Sequence, residues 1–421
     1  MTTCPQAAGI GKAGKEIEDS TDPKPRCQTV AIAAAACICQ TLMMNFRILG
    51  IGTAAPPRQI AQQDAAVLAG TLVGSAARRE RTLSAVYRQT RIAHRGSVLL
   101  EDPGDAAFAQ SFFPPARDSD DAGPSTAARM DRYCREAPGL AATAVERALA
   151  ASNVSPAEVT HLVTCSCTGF AAPGVDLALI ETLGLPATVA RTHVGFMGCH
   201  GAFNALRVAS AFGSADPAAV VLVVCVELCS LHFQYGREAE QIVANSIFAD
   251  GAAAVVGRGL PGQPTDRHWT LIDQRSAILA DSASQMGWTI GDHGFEMTLS
   301  AEVPGTIAAP LPALVDELLA PHSLSLSDVD HWAVHPGGPR VLSAVETALD
   351  LAPNHLAISR AVLAEHGNMS SGTILFILEQ LFVGGYSMAN RFTATASPET
   401  CVAMAFGPGL TAELALLVSQ P

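Results

Sequence analysis

The stretch Val194-Gly195-Phe196-Met197-Gly198-Cys199-His200-Gly201-Ala202-Phe203-Asn204-Ala205-Leu206-Arg207-Val208-Ala209 sets a glycine-flanked cysteine at the start of an apolar run. Only Asn204 and Arg207 are strongly polar after Gly201, so the spacing predicts a largely buried helix. Cys199 then lies at the helix N-terminus, where unpaired N–H groups and the macrodipole favour an anion and lower a thiol pKa. A cysteine in such a run is by default an inert core residue. What sets this one apart is its company elsewhere in the chain.

Outward from it, the chain repeats itself. Ser155-Pro156-Ala157-Glu158-Val159-Thr160-His161-Leu162-Val163-Thr164 is echoed by Ser325-Leu326-Ser327-Asp328-Val329-Asp330-His331-Trp332-Ala333-Val334. Each reads as a capped turn leading into a buried strand. Gly198-Cys199 has a counterpart in Gly367-Asn368, at nearly the spacing that separates His161 from His331. Strands at 219–226 and 401–406 follow the two helical runs. Landmarks at nearly one spacing predict a duplicated βα unit. Copies packed about a pseudo-twofold axis place the two buried helices side by side, with Cys199 and Asn368 at matched N-terminal positions facing one cavity. His335 follows Trp332-Ala333-Val334 and precedes Pro336-Gly337-Gly338-Pro339. This is the carboxyl end of a strand, a common place for functional side chains in α/β folds. Cys199, His335 and Asn368 thus form a set of nucleophile, base and amide donor.

The 421 residues are 49% hydrophobic and 15% charged, with net charge −13. That provides core for two medium domains or one large duplicated unit. It leaves no basic field to attract nucleic acid or an anionic membrane. The 11 cysteines are scattered without a C-x-x-C, so neither a disulfide framework nor a metal site is expected, and a reducing cytoplasm fits. Residues 1–44 read as a disordered N-terminal extension, with translation expected to start at Met43 or Met44. Their ten-residue apolar run, 30–39, is too short to span a bilayer, and no signal-peptide cleavage site is evident. An N-terminal half, 45–260, carries the cysteine; a C-terminal half, 268–418, carries the histidine and asparagine. Arg78, Arg79, Arg81, Arg88, Arg91 and Arg95 form the densest basic stretch, either a solvated helix face or a clamp for a polyphosphate. Residues 101–125 read as a surface loop, and 126–151 as a helix bent at Pro138.

These features resemble the chalcone synthase-like type III polyketide synthases of thiolase fold. The matching runs are Gly198-Cys199, Ile247-Phe248-Ala249-Asp250-Gly251-Ala252-Ala253-Ala254, Val303-Pro304-Gly305, His335-Pro336-Gly337-Gly338-Pro339, Gly367-Asn368-Met369-Ser370-Ser371 and Phe406-Gly407-Pro408-Gly409-Leu410-Thr411. Their order and spacing hold from about Arg47 to Leu417. The resemblance implies an α/β, duplicated thiolase-like fold (αβαβα layers) in two pseudo-symmetric halves. It implies an acyltransferase that loads an acyl-CoA starter onto Cys199, decarboxylates malonyl-CoA and performs iterative Claisen condensations. Cyclisation then gives a resorcinol, pyrone or phloroglucinol-type product. Coenzyme A thioesters are the substrates and partners of a homodimer that binds no permanent cofactor, metal, nucleic acid or membrane. In this reading a His335 imidazolium keeps Cys199 ionised, and the His335 Nε2–H and the Asn368 amide stabilise the malonyl-derived enolate.

The resemblance also implies a pocket. Phe248 matches the gatekeeper phenylalanine between coenzyme A tunnel and cavity, and Met297 replaces a second one. Cys167, Cys229 and His232 fall on pocket-lining threonines of the plant enzymes. Trp288 falls where a glycine widens the plant cavity, Ser370 completes the pocket, and Ala172 replaces a methionine that reaches the partner subunit. These departures resemble bacterial members and point away from chalcone as product. Among the basic residues, Arg88 is the candidate coenzyme A contact. Three alternatives are a ketoacyl-ACP synthase III-like enzyme that condenses once, a Cys-His-Asn thioester hydrolase, and a silent scaffold.

Overall fold

The computed structural model describes residues 46–74, 77–236, 238–259, 268–383 and 398–420. The expected N-terminal extension lies outside them.

Nine strands of the described residues form one mixed sheet. Near its middle Phe46–Ala54 pairs antiparallel with His268–Ile278, Phe46 opposite Leu271 and Ile48 opposite Trp269. Outward from that pair the two sides follow one plan. On one side Asp250–Gly259 is antiparallel to Phe46–Ala54, Val220–Leu228 is antiparallel to Asp250–Gly259, and His161–Ser166 is parallel to Val220–Leu228. On the other, Thr411–Gln420, Thr400–Gly407 and His331–Val334 repeat these senses in order. Ala190–Gly195 adds a parallel edge strand to the first side. The repeated segments fall at equivalent places, each strand entered through a capping turn. The Glu158 carboxylate accepts the Ser155 N–H at 2.9 Å, and the Asp328 carboxylate accepts the Ser325 N–H at 2.8 Å.

Side chains alternate along these strands, and the alternation sorts the core into layers. Val163, Val221, Val223, Cys401 and Ala403 face a central cluster filled by the helices Gly201–Ala215 and Thr373–Val383. Leu162, Leu222 and Val224 face outward to the helix Thr126–Ser152, which continues through Pro138. Val402, Met404 and Phe406 face the helices Leu311–Leu319 and Pro339–Ala348. The order helix, strand, helix, strand, helix is the αβαβα layering. A strand covered on both faces needs an apolar residue at nearly every position. Val220–Leu228 accordingly reads as a continuous apolar run broken only by Glu227, and all nine of its residues are buried.

The two central helices begin differently from the expectation. Gly201–Ala215 follows a 3-10 turn, Gly198–His200, whereas Thr373–Val383 follows the turn Ser370–Gly372. Counted from the helix start, Ser371 rather than Asn368 stands where Cys199 does. Asn368 sits earlier, in extended backbone, because its N–H donates to Ile247 O at 2.8 Å and its carbonyl accepts from Ala249 N at 2.9 Å. That bridge to Phe248 occupies the groups a helix start would need.

Candidate active site

Gly198 and Gly367 hold left-handed backbone, φ +73° and +74°, immediately before Cys199 and Asn368. That conformation is open to glycine and strained for other residues. The resulting turns bring the cysteine and the amide to the same cavity, which has a volume of about 480 Å³ and is lined by Cys199, His335 and Asn368 together. His335 enters from the third direction. Its N–H continues the sheet ladder to Met404 O at 2.9 Å, and Gly337 N–H donates back to its carbonyl at 3.0 Å. The strand therefore ends at this residue, and the Pro-Gly-Gly turn leads the chain away.

Burial works against the expected thiolate–imidazolium pair. Cys199 is 8% exposed, and burial pushes its thiol up to about 11, opposed by hydrogen bonds from Ser370 and Asn368. That rise corresponds to roughly 3 kcal/mol against the thiolate. Burial, reinforced by nearby His200, pushes His335 down to about 3. Both His335 ring nitrogens lack a protein hydrogen-bond partner. Burial thus disfavours the charged form of each side chain taken alone. Asn368 is oriented more tightly. Its Oδ1 accepts the Ser370 N–H at 2.8 Å, leaving the Nδ2–H group as donor to the cavity.

The pocket residues named from the sequence lie around this centre. Phe248 follows the helix Ala239–Ile247 in extended backbone and lines the large cavity and two neighbours of about 110 and 20 Å³. Met297 lines all three as well. Trp288 is its cross-strand partner in the hairpin Met286–Gly291/Gly294–Leu299, so the two side chains share one face. Trp288 Nε1–H donates to Cys167 O at 2.7 Å. Cys167 Sγ is 3.1 Å from Ser370 Oγ, and both residues line the 20 Å³ cavity beside Cys199, together with Cys229. His232 stacks on Phe295, with ring centroids 4.1 Å apart, and lines the 110 Å³ cavity.

Arg88 does not join them. The helix Ala77–Gln89 gives Val86 and Gln89 to the large cavity, but Arg88 is exposed and lines none of the three. Arg340 does line the large cavity. The signal that could have found it is its position one residue beyond the His335-Pro-Gly-Gly-Pro turn. Glu227 was also missed. It is fully buried, accepts hydrogen bonds from Thr168 Oγ1 at 2.7 Å and Ser371 Oγ, and burial raises its carboxyl pKa. A lone acid within a nine-residue apolar strand was its signal.

Two family models match the chain: chalcone and stilbene synthases, N-terminal domain, over residues 39–260, and the C-terminal domain over 271–421. The chain is 35% identical over 369 residues to the alpha-pyrone synthesis polyketide synthase-like Pks18 of Mycobacterium tuberculosis, covering 87% of this chain and 89% of that one. The crystal structure of PKS-I from the brown alga Ectocarpus siliculosus superposes with TM-score 0.81 at 30% identity, covering 90% of this chain and 99% of that one. The C-terminal type III polyketide synthase domain of Steely1 from Dictyostelium superposes with TM-score 0.76 at 26% identity, covering 89% and 99%. With its two halves, layered fold and shared cavity, the chain belongs to the chalcone and stilbene synthase family and is a type III polyketide synthase, a decarboxylating acyltransferase-type condensing enzyme.

Proposed function

We propose that Cys199, His335 and Asn368 carry out iterative condensation of malonyl-CoA on an acyl-CoA starter. The observation that carries this reading is that all three side chains line one cavity, with Phe248 at its junction with two further compartments. In loading, His335 takes the Cys199 proton as the sulfur attacks the starter thioester. Each ion alone is disfavoured by burial, but the two formed together attract strongly in a low-dielectric site. Coenzyme A leaves as thiolate and takes a proton from solvent, so the Cys199 proton stays on His335 Nε2. Malonyl-CoA then loses carbon dioxide, and the developing enolate oxygen accepts hydrogen bonds from His335 Nε2–H and Asn368 Nδ2–H. The enolate carbon attacks the Cys199 thioester. That step releases the Cys199 thiolate and leaves a chain two carbons longer on coenzyme A, ready to reload.

The ring-closed product is a pyrone, resorcinol or phloroglucinol type; the mycobacterial relative's name, alpha-pyrone synthesis, favours the pyrone. No permanent cofactor or metal is needed by this chemistry. The seven cysteines of the described residues are free thiols, which supports a reducing cytoplasm. The exposure of the large apolar side chains Phe170 and Met197, 46% and 37%, supports a homodimer that covers them. Incubation with acyl-CoA followed by peptide mass mapping tests the reading. An acyl group on Cys199, absent from Cys199→Ala, is the expected result; an unmodified Cys199 contradicts it.

A further inference from the structure

We propose that Arg95 is a positioning residue that fixes the Phe248 gate and the Asn368 amide relative to each other; this rests on the reading above. Arg95 lies in the short strand His94–Gly96, far in sequence from both. Its Nη1 donates to Phe248 O at 2.7 Å and to Asn245 O at 2.8 Å. These carbonyls belong to the last turn and C-cap of the helix Ala239–Ile247, where no intrahelical partner is available and a cation is favoured. The guanidinium is backed by the Tyr87 ring, 5.5 Å from its centroid.

The same side chain reaches the asparagine turn. A Cβ placed on Gly367 would lie 3.1 Å from Arg95 Cγ and 3.1 Å from both Ala249 Cβ and Ile247 O. The Arg95 stem therefore packs against the glycine that precedes Asn368, while its head holds the peptide after Phe248. Between them runs the Phe248–Asn368 bridge. Two residues before Arg95, Ala93 N–H adds a further tie, donating to Ala364 O at 2.7 Å. Arg95 also lines the cavity of about 110 Å³, but its hydrogen bonds go to Phe248 O and Asn245 O, so its effect on the Asn368 amide passes through backbone placement. A misplacement on the ångström scale at a reacting centre lowers rate by about 100-fold.

The test compares Arg95→Met, Arg95→Lys and Asn368→Asp for carbon dioxide release from malonyl-CoA, Cys199 acylation and starter preference. Arg95→Met keeps the stem and loses both hydrogen bonds; it is expected to decarboxylate about 100-fold more slowly with Cys199 acylation retained and starter preference shifted. Arg95→Lys, whose ammonium reproduces the guanidinium geometry incompletely, is expected to fall between it and wild type, and it serves if Arg95→Met does not fold. Wild-type decarboxylation and starter preference in the folded Arg95 variants, with Asn368→Asp slow, overturns the positioning role alone. Parallel loss of acylation and decarboxylation also overturns it, since that marks a merely structural residue. Normal decarboxylation by Asn368→Asp overturns the underlying reading and the positioning role with it.

Discussion

Ser370 N–H donates to Asn368 Oδ1 at 2.8 Å, and that bond decides which end of the Asn368 amide meets the reacting oxygen. With the carbonyl end committed, Nδ2–H is the end left for an enolate.

Asn368→Asp keeps an acceptor for Ser370 but replaces the donor with a second carboxylate oxygen. Malonyl-CoA decarboxylation should fall by about 100-fold or more, the loss typical of one oxyanion donor. Carbon dioxide release without a starter measures it, and an undiminished rate contradicts the enolate role.

Burial, partly offset by hydrogen bonds from Ser370 and Asn368, raises the Cys199 thiol to about 11, so ionisation at neutral pH depends on passing its proton to His335. In His335→Gln that acceptor is gone. Alkylation by iodoacetamide should then rise about tenfold per pH unit from 7 to 10, following the thiolate fraction of a high-pKa thiol. Wild type should react faster below pH 8 and depend less on pH, because the proton has somewhere to go. Superimposable profiles would show that His335 does not take it.

Trp288 stands between the cavities of about 110 and 20 Å³, anchored by its hydrogen bond to Cys167 O. Trp288→Gly should join them and admit longer acyl starters, at a stability loss of about 3 kcal/mol. Relative turnover across a chain-length series of acyl-CoAs reads the effect. An unchanged preference contradicts the placement of Trp288 as a wall.

Gly198→Ala combines a left-handed φ of +73° with a Cβ that would lie 2.3 Å from Pro408 Cδ. The strain and clash together should cost about 2–3 kcal/mol and displace Cys199. Thermal unfolding and Cys199 acylation should both fall; a variant that acylates normally would mean the turn tolerates another geometry.

Much of this was legible because duplication writes itself twice. His161 and His331 open equivalent strands, and the paired Ser155 and Ser325 turns carry the same capping pattern. That Cys199, His335 and Asn368 meet at one cavity was legible through the glycines and the Pro-Gly-Gly turn. The desolvation of Cys199 was not, since sequence shows the helix start but not the burial that opposes it. The exact footing of Asn368 was hidden too, because its bridge to Phe248 joins residues 120 positions apart. The arginine run was open for a related reason: it shows charge, while which residue faces a cavity depends on the packing of its helix, and Arg88 lies exposed outside the three cavities.

The central claim is repeated two-carbon extension without a carrier protein. Mass spectrometry of products from purified enzyme, an acyl-CoA and carbon-13 malonyl-CoA tests it most directly. The account predicts ring-containing products carrying several labelled two-carbon units, all lost in Cys199→Ala. A single condensation that requires acyl carrier protein, or free acid alone, would contradict it.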